Sequence, residues 1–296
     1  MIRMVKPMRK PKVTIIGSIN MDLVTITDEV AMQGETVHGK DFRTLHGGKG
    51  ANQAVAASRL GADVSMIGKV GDDDFGRSML ENFEANGVDI EGIGIEKDTP
   101  SGIANIIVSN KDNRIIIIAG ANGKVDRAHV DRYAEIIRES DIVLVQFEIP
   151  METVKHAIDI CSRENVPVII NPAPVTALED AYFEAAAYIT PNEHERAKLF
   201  KMRDDGLPEH HEKLITTQGA QGASYFKDGR EIILPPKNVE VVDTTGAGDT
   251  FNAAFAVAIA EGKDIEAAIN FANAAAGLAV GKIGAQNGMP KREDLQ

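Results

Sequence analysis

Val241-Val242-Asp243-Thr244-Thr245-Gly246-Ala247-Gly248-Asp249-Thr250-Phe251, near the C-terminus, joins a β-branched run to a helical apolar face. Val239, Val241 and Val242 predict the end of a β-strand. Beyond the turn, Phe251, Ala254, Phe255, Ala258 and Ile259 recur at helical spacing, and Gly262 falls where a helix C-cap belongs. A small-residue turn thus delivers the chain from a strand into the first turn of a buried helix. The amides of Gly246, Ala247 and Gly248 have no intrahelical partner there, which suits a phosphate or the charge that develops on a phosphoryl group in transfer. Asp249 then needs an explanation, because a carboxylate beside a phosphate site is electrostatically expensive. Ionised, it can accept a hydroxyl proton while the amides hold the moving group. A cap or dipole role would suffice for an isolated Gly-x-Gly-Asp. The rest of the chain decides otherwise.

Working outward, Val13 to Gly17 is a short β-branched run fitting a buried strand. It leads into Ser18-Ile19-Asn20-Met21-Asp22, which puts Asn20 and Asp22 at the carboxyl edge of a sheet, where open α/β proteins bind ligands. From Leu23 to Arg43 short strands are expected, including Thr36-Val37-His38. His38 and His46 have no third ligand at a suggestive spacing, so they read as structural or exposed. Gly47-Gly48-Lys49-Gly50-Ala51-Asn52-Gln53-Ala54 opens a helix that ends at Gly61. Its glycines admit a ligand to the backbone, and Lys49 and Asn52 can point at hydroxyls or a phosphate. It is not a Walker A loop, because the spacing and the final Lys-Ser/Thr are missing.

Val64 to Gly68 predicts a strand and Asp74 to Asn86 a helix, whose preceding carboxylates read as an acidic N-terminus rather than a metal site. Ser101 to Ser109 and Arg114 to Ala119 form a hairpin. Then strands and helices alternate: Asp141 to Phe147, Met151 to Glu164, Val166 to Ile170. Such alternation implies a parallel sheet covered on both faces. Ile265, Ala268, Ile269, Ala272 and Ala276 make the last apolar helix face, and residues 281–288 read as a loop.

The chain has 296 residues, 43% hydrophobic and 26% charged, as in ordinary globular proteins. A net charge of −12 argues against a nucleic-acid partner. No apolar run is long enough to span a bilayer, and Met1 to Lys12 reads as a basic lead-in lacking the apolar core of a secretory signal. The single cysteine, Cys161, excludes an internal disulfide, suits the cytoplasm and falls in a buried helical pattern.

The C-terminal stretch resembles the Asp-Thr-x-x-Ala-Gly-Asp-x-Phe signature of the ribokinase-like (PfkB) carbohydrate kinases, and Gly47 to Ala54 resembles their N-terminal signature. The resemblance runs from Lys12 to about Asp294. It implies a three-layer αβα sandwich over residues 12–296, with a small β lid from about 22–46 and 100–121. It also implies transfer of the γ-phosphoryl group of ATP to the 5-hydroxyl of D-ribose, with Asp249 as base and Gly246 to Gly248 as anion hole. Deoxyribose, fructose, 2-keto-3-deoxygluconate or a nucleoside are rival acceptors, and a non-catalytic sugar sensor is the reading from another class. Carried over residue by residue, Asn20, Asp22, Gly48, Lys49, Gly50, Asn52 and Glu148 hold the sugar, with Ala104, Ile106 and Ile118 against its apolar side. Asn192, Glu195, Thr217, Gly219, Gly222, Gly248 and Asn273 serve the nucleotide, Glu195 placing Mg²⁺ through water. K⁺ is expected between Asp243 and Thr245 on one side and Ala279, Lys282, Gly284 and Gly288 on the other. The resemblance further implies a homodimer paired through the lid. Two departures stand out: a short segment between Glu195 and Thr217, holding His210 and His211, and Gln218 where Leu or Lys is more usual.

Overall fold

β-Branched runs build one parallel sheet. In a computed structural model describing residues 9–110, 112–201, 211–236 and 239–295, its strands lie in the order Tyr188–Ile189, Val168–Asn171, Ile142–Gln146, Lys12–Ile16, Asp63–Gly71. Val88–Asp89 and Ile93–Glu96 both pair with the last of these, and every pairing is parallel. Residues 202–210 of the short segment before Thr217, His210 among them, and the first eight residues of the basic lead-in lie outside the described residues.

Side chains alternate across the sheet, and the register sorts them. Val13, Ile15, Met66 and Leu144 face one core, packed against the helices Lys49–Arg59, Ala247–Ala260 and Ile265–Ala279. Ile16, Ile67, Val143 and Val145 face the other, with Val154, Ile158 and Cys161 of the helix Met151–Glu164. The result is a three-layer αβα sandwich. Burial pushes the Cys161 thiol up to about 12, so it packs as a small apolar group. No described helix is long and apolar enough to cross a membrane.

Strand order reverses beside Lys12–Ile16: the next sheet strand, Asp63–Gly71, joins on one side and Ile142–Gln146 on the other. A crevice opens at such a point, outside the carboxyl ends of the strands. Over it stands a small four-stranded sheet in the order Gly39–Gly47, Asn20–Thr27, Gly102–Ser109, Asp112–Ile118.

Three local expectations fail. Val239 to Val242 form no strand; the valines are 40–60% exposed, and among the described residues the amides of Val242 and Asp243 bond to the Val280 carbonyl. The preceding strand Arg230–Leu234 runs into Pro235-Pro236, which cannot donate to a ladder, so β propensity has no partner to act on. Thr36 to His38 are likewise unpaired, because the partner strand ends at Thr27, which sits opposite Gly39. Finally, the first strand stops at Ile16, and Asn20 opens a strand of the small sheet.

Candidate active site

Gly246 adopts φ 78°, where only glycine is at ease, and a Cβ there would fall 2.8 Å from Ala285. That turn aims the start of the Ala247–Ala260 helix into a cavity of about 240 Å³. Its walls are Lys49, Asn171, Ala173, Thr190, Asn192, Glu195, Thr217, Thr244, Gly246, Gly248, Asp249 and Asn252. Ala247, expected in the anion hole, is not among them: its amide donates back to the Thr244 carbonyl at 3.2 Å.

Asp249 sits at the cavity floor, 7% exposed. Its Oδ2 accepts from Asn52 Nδ2 at 2.9 Å and its Oδ1 from Gln53 Nε2 at 3.1 Å. Burial pushes its carboxyl up; the charge of Lys49 and the two amide donors pull it back. A buried acid with donors on both oxygens and a lysine nearby can hold negative charge and still take a proton.

Residues expected to hold the sugar lie near the same acid, Asp22 and Glu148 within electrostatic reach of it. Gly48, at φ 88°, has no side chain to cap the Lys49–Arg59 helix. Glu148 supplies a carboxylate from another element, accepting from Lys49 N at 3.1 Å and from Ser18 Oγ. The Gly50 amide reaches Ser18 Oγ at 3.4 Å. Asp22 is 8% exposed, and burial pushes its carboxyl up to about 7, with the charges of Glu148 and Asp249 adding to the effect. Asn20 Oδ1 accepts from Asn122 Nδ2 at 2.7 Å. Ala104 pairs with Asp22 and Ile106 with Val24, on one face of the small sheet. Ile118 does not join them. It lies opposite Ile103, so the period-2 pleat puts it on the other face, and it is half exposed.

Of the residues expected to serve the nucleotide, Asn192, Glu195 and Thr217 line the cavity. Asn192 and Glu195 form a capping box: Glu195 N donates to Asn192 Oδ1 at 2.8 Å and Asn192 N to Glu195 Oε2 at 2.9 Å. Gly219, Gly222 and Asn273 do not line it. Gly222 lets its strand approach Leu234, whose carbonyl would lie 2.1 Å from a Cβ, and Asn273 donates to that same carbonyl at 2.8 Å.

Asp243 ties two loops together. Its Oδ1 accepts from Thr245 N at 2.9 Å and Thr245 Oγ1 at 2.7 Å; its Oδ2 accepts from Gly284 N at 2.8 Å. Burial would raise its carboxyl, but these bonds hold it below the ordinary value. Gly288 packs on Ala279, whose carbonyl oxygen would lie 1.9 Å from a Cβ, while Lys282 is exposed. Elsewhere His46 bonds Ser78, and Asp73 caps the Asp74–Ala85 helix, so neither needs a metal.

Sequence reasoning missed the amides around the acid. Gln53, Asn122, Gln146, Asn171, Asn252 and Gln286 are all buried. Gln286 Nε2 donates to Asn52 Oδ1 at 3.1 Å, and Asn252 Nδ2 to the Gly248 carbonyl at 2.9 Å. The available signal was an amide interrupting an apolar run, as in Ile142-Val143-Leu144-Val145-Gln146, since buried polar groups must be paired.

A wound parallel sheet, with a glycine-turn helix start and a buried acid among polar side chains at its crevice, is the architecture of a phosphotransferase. The chain belongs to the pfkB family of carbohydrate kinases, whose family model matches residues 10–292. It is 49% identical over 286 residues to a ribokinase of Bacillus subtilis, covering 96% of this chain and 98% of that one. A ribokinase of Lactococcus lactis is 46% identical, with 96% of each chain covered. Among solved structures, the Arabidopsis thaliana ribokinase complexed with ribose and ATP superposes with a TM-score of 0.89 at 32% identity, over 97% of this chain and 98% of that one.

Proposed function

We propose that this chain transfers the γ-phosphoryl group of ATP to the 5-hydroxyl of D-ribose. The observation that carries the reading is Asp249, held by Asn52 and Gln53 at the mouth of the glycine-turn helix and within electrostatic reach of Asp22 and Glu148. Asn20, Asp22, Lys49, Asn52 and Glu148 fix the sugar, exchanging water for fixed hydrogen bonds. Asp249 takes the hydroxyl proton, and Gly246 and Gly248 meet the charge of the moving group. Residues 12–296 act as one domain. The small sheet closes over the sugar and excludes water, which otherwise competes as acceptor. The thiol of Cys161 and the absence of any disulfide suit a reducing cytoplasm.

Asn192 and Glu195 offer an amide and a carboxylate oxygen on the cavity wall, a hard donor set that suits Mg²⁺ through water. The loops joined by Asp243 present backbone carbonyls, the donors K⁺ favours, and Asp243, Thr245, Ala279, Lys282, Gly284 and Gly288 lie on those segments. The two cations would supply positive charge beside the phosphates. Asp243→Ala removes the side-chain tie to the Gly284 amide and both bonds to Thr245. We expect it to abolish any difference in turnover between K⁺ and Na⁺ buffers and to cost about 10–100-fold in activity, read by steady-state kinetics in each salt.

The test of the activity is ADP release across pentoses, deoxypentoses, hexoses and nucleosides, with the product identified by ³¹P NMR. Ribose is expected to give the highest kcat/KM and ribose 5-phosphate the product. Glu148→Ala should raise the ribose KM about 10–100-fold, the loss of one hydrogen bond to a charged group. Preference for another acceptor, or sugar binding without ADP, would overturn the reading.

Ile116, Ile118 and Phe42 expose 51–60% of their surface on the face of the small sheet away from Ala104 and Ile106. We propose that a second copy of the chain covers this face, pairing lid on lid as a homodimer. Ile116→Lys is then expected to give a monomer by multi-angle light scattering where the parent chain gives a dimer.

A further inference from the structure

Gln53 makes none of the sugar or phosphate contacts assigned above, yet it is wholly buried against the proposed base. Its Nε2 donates to Asp249 Oδ1 and to Asn171 Oδ1, both at 3.1 Å. Its Oε1 accepts from Gln146 Nε2. Every end of this amide is engaged.

Its direction is dictated from outside. The Thr190 carbonyl can only accept, so Asn171 turns its Nδ2 toward it, at 3.1 Å. That leaves Asn171 Oδ1 facing Gln53, which must answer with its own NH₂ group. The same NH₂ group reaches Asp249. On the far side Gln146 presses on Gly17, where a Cβ would fall 1.9 Å from Gln146 Oε1. That buried oxygen has no hydrogen-bond partner among the described residues. Reversing Gln146 alone would only set that oxygen against Gln53 Oε1. Reversing Gln53 as well would turn its oxygen onto the Asp249 carboxylate. The unpaired oxygen is therefore tolerated for the sake of the direction of the chain.

We infer that Gln53, oriented by the Thr190 carbonyl through Asn171 and backed by Gln146, is the positioning residue that holds Asp249 aimed and ionised for proton removal. The inference rests on Asp249 being the base. Asn52 and Gln53 place donors on both carboxylate oxygens, stabilising an anion that burial disfavours. The charged groups facing Asp249 are Lys49 at the start of its helix, Asp22 on the small sheet, Glu148 beyond its strand and Glu195 across the cavity. Lys49 is the one cation in that set, so loss of an amide donor tips Asp249 toward the neutral acid.

The experiment compares Gln53→Met, which keeps bulk and removes the amide, with Gln53→Glu, which keeps an acceptor for Gln146 but sets a carboxylate against Asp249. Gln53→Met is expected to lower kcat about 10–100-fold with the sugar KM within about threefold. The acid limb of its kcat–pH profile should rise by about one pH unit. Gln53→Glu should shift that limb further. Circular dichroism melting establishes that each variant is folded. A folded Gln53→Met with parental kcat and acid limb overturns the inference. So does a fall in kcat with the acid limb unmoved, or failure of both variants to fold, since either makes Gln53 a core amide only. Asp249→Asn, measured in parallel, separates the two readings. If it keeps turnover, the base assignment falls; if it is inactive while both Gln53 variants are normal, only the positioning role falls.

Discussion

Asp249→Asn is expected to lower kcat by about 10²–10⁴-fold, the usual scale for losing a positioned proton acceptor. The sugar KM should stay within about threefold, because the other grips remain. Two effects combine. The amide cannot take the hydroxyl proton, and its NH₂ group must face either Asn52 Nδ2 or Gln53 Nε2, both of which are donors. One neighbour must therefore turn. Asn52 is tied to Gln286, itself bonded to Asn82 at 2.9 Å, and Gln53 is tied to Asn171. Steady-state kinetics with a coupled ADP assay, beside isothermal titration with sugar alone, separates lost chemistry from lost binding. Near-normal turnover with intact sugar binding would remove Asp249 from its role.

The second large effect is on the sugar, and it depends on pH. In the folded protein the Asp22 carboxyl is pushed up to about 7 by burial, with Glu148 and Asp249 adding to the shift. Its ordinary value is 3.8. Between these values the folded chain keeps a proton that the unfolded chain has lost. Asp22 therefore costs stability progressively as pH rises through that window, and the full cost is present above about 7. Sugar hydroxyls that donate to Asp22 need its anion. Sugar binding should accordingly release a proton at pH 6, and the sugar KM should rise about tenfold per unit below the Asp22 value. Asp22→Asn should flatten this dependence and raise KM about 10–100-fold at pH 8, the cost of weakening a hydrogen bond to a charged group. Titration in buffers of different ionisation enthalpy counts the proton directly. A sugar KM flat from pH 5.5 to 8.5 in the parent chain would contradict the assignment.

The chain announced its wound sheet plainly. The runs at Val13, Val64, Asp141 and Val166 are buried on both faces, so local composition and final structure agree there. Met151–Glu164 forms just as its apolar spacing predicts. The misses share one cause. Val239 to Val242 and Thr36 to His38 have strand-like composition, but a strand needs a partner, and partners are set by the fold far along the chain. Ile118 failed on register: alternation fixes its face only once its pairing with Ile103 is known. Asp249 and Asn52 could be singled out in the sequence because the two glycine turns frame them, and Glu148 only through the family resemblance. Gln53, Gln146 and Asn171 were not, because a buried amide reveals its purpose only through the groups it meets.

The claim beneath the account is that an acid at a helix mouth and a ring of hydroxyl-gripping side chains address one sugar. A crystal structure with ribose and a non-hydrolysable ATP analogue tests it most directly. The ribose 5-hydroxyl is expected within about 3.2 Å of an Asp249 oxygen, with Asn20, Asp22, Asn52 and Glu148 on the remaining hydroxyls. A sugar seated away from Asp249, or a different hydroxyl turned toward it, would contradict it.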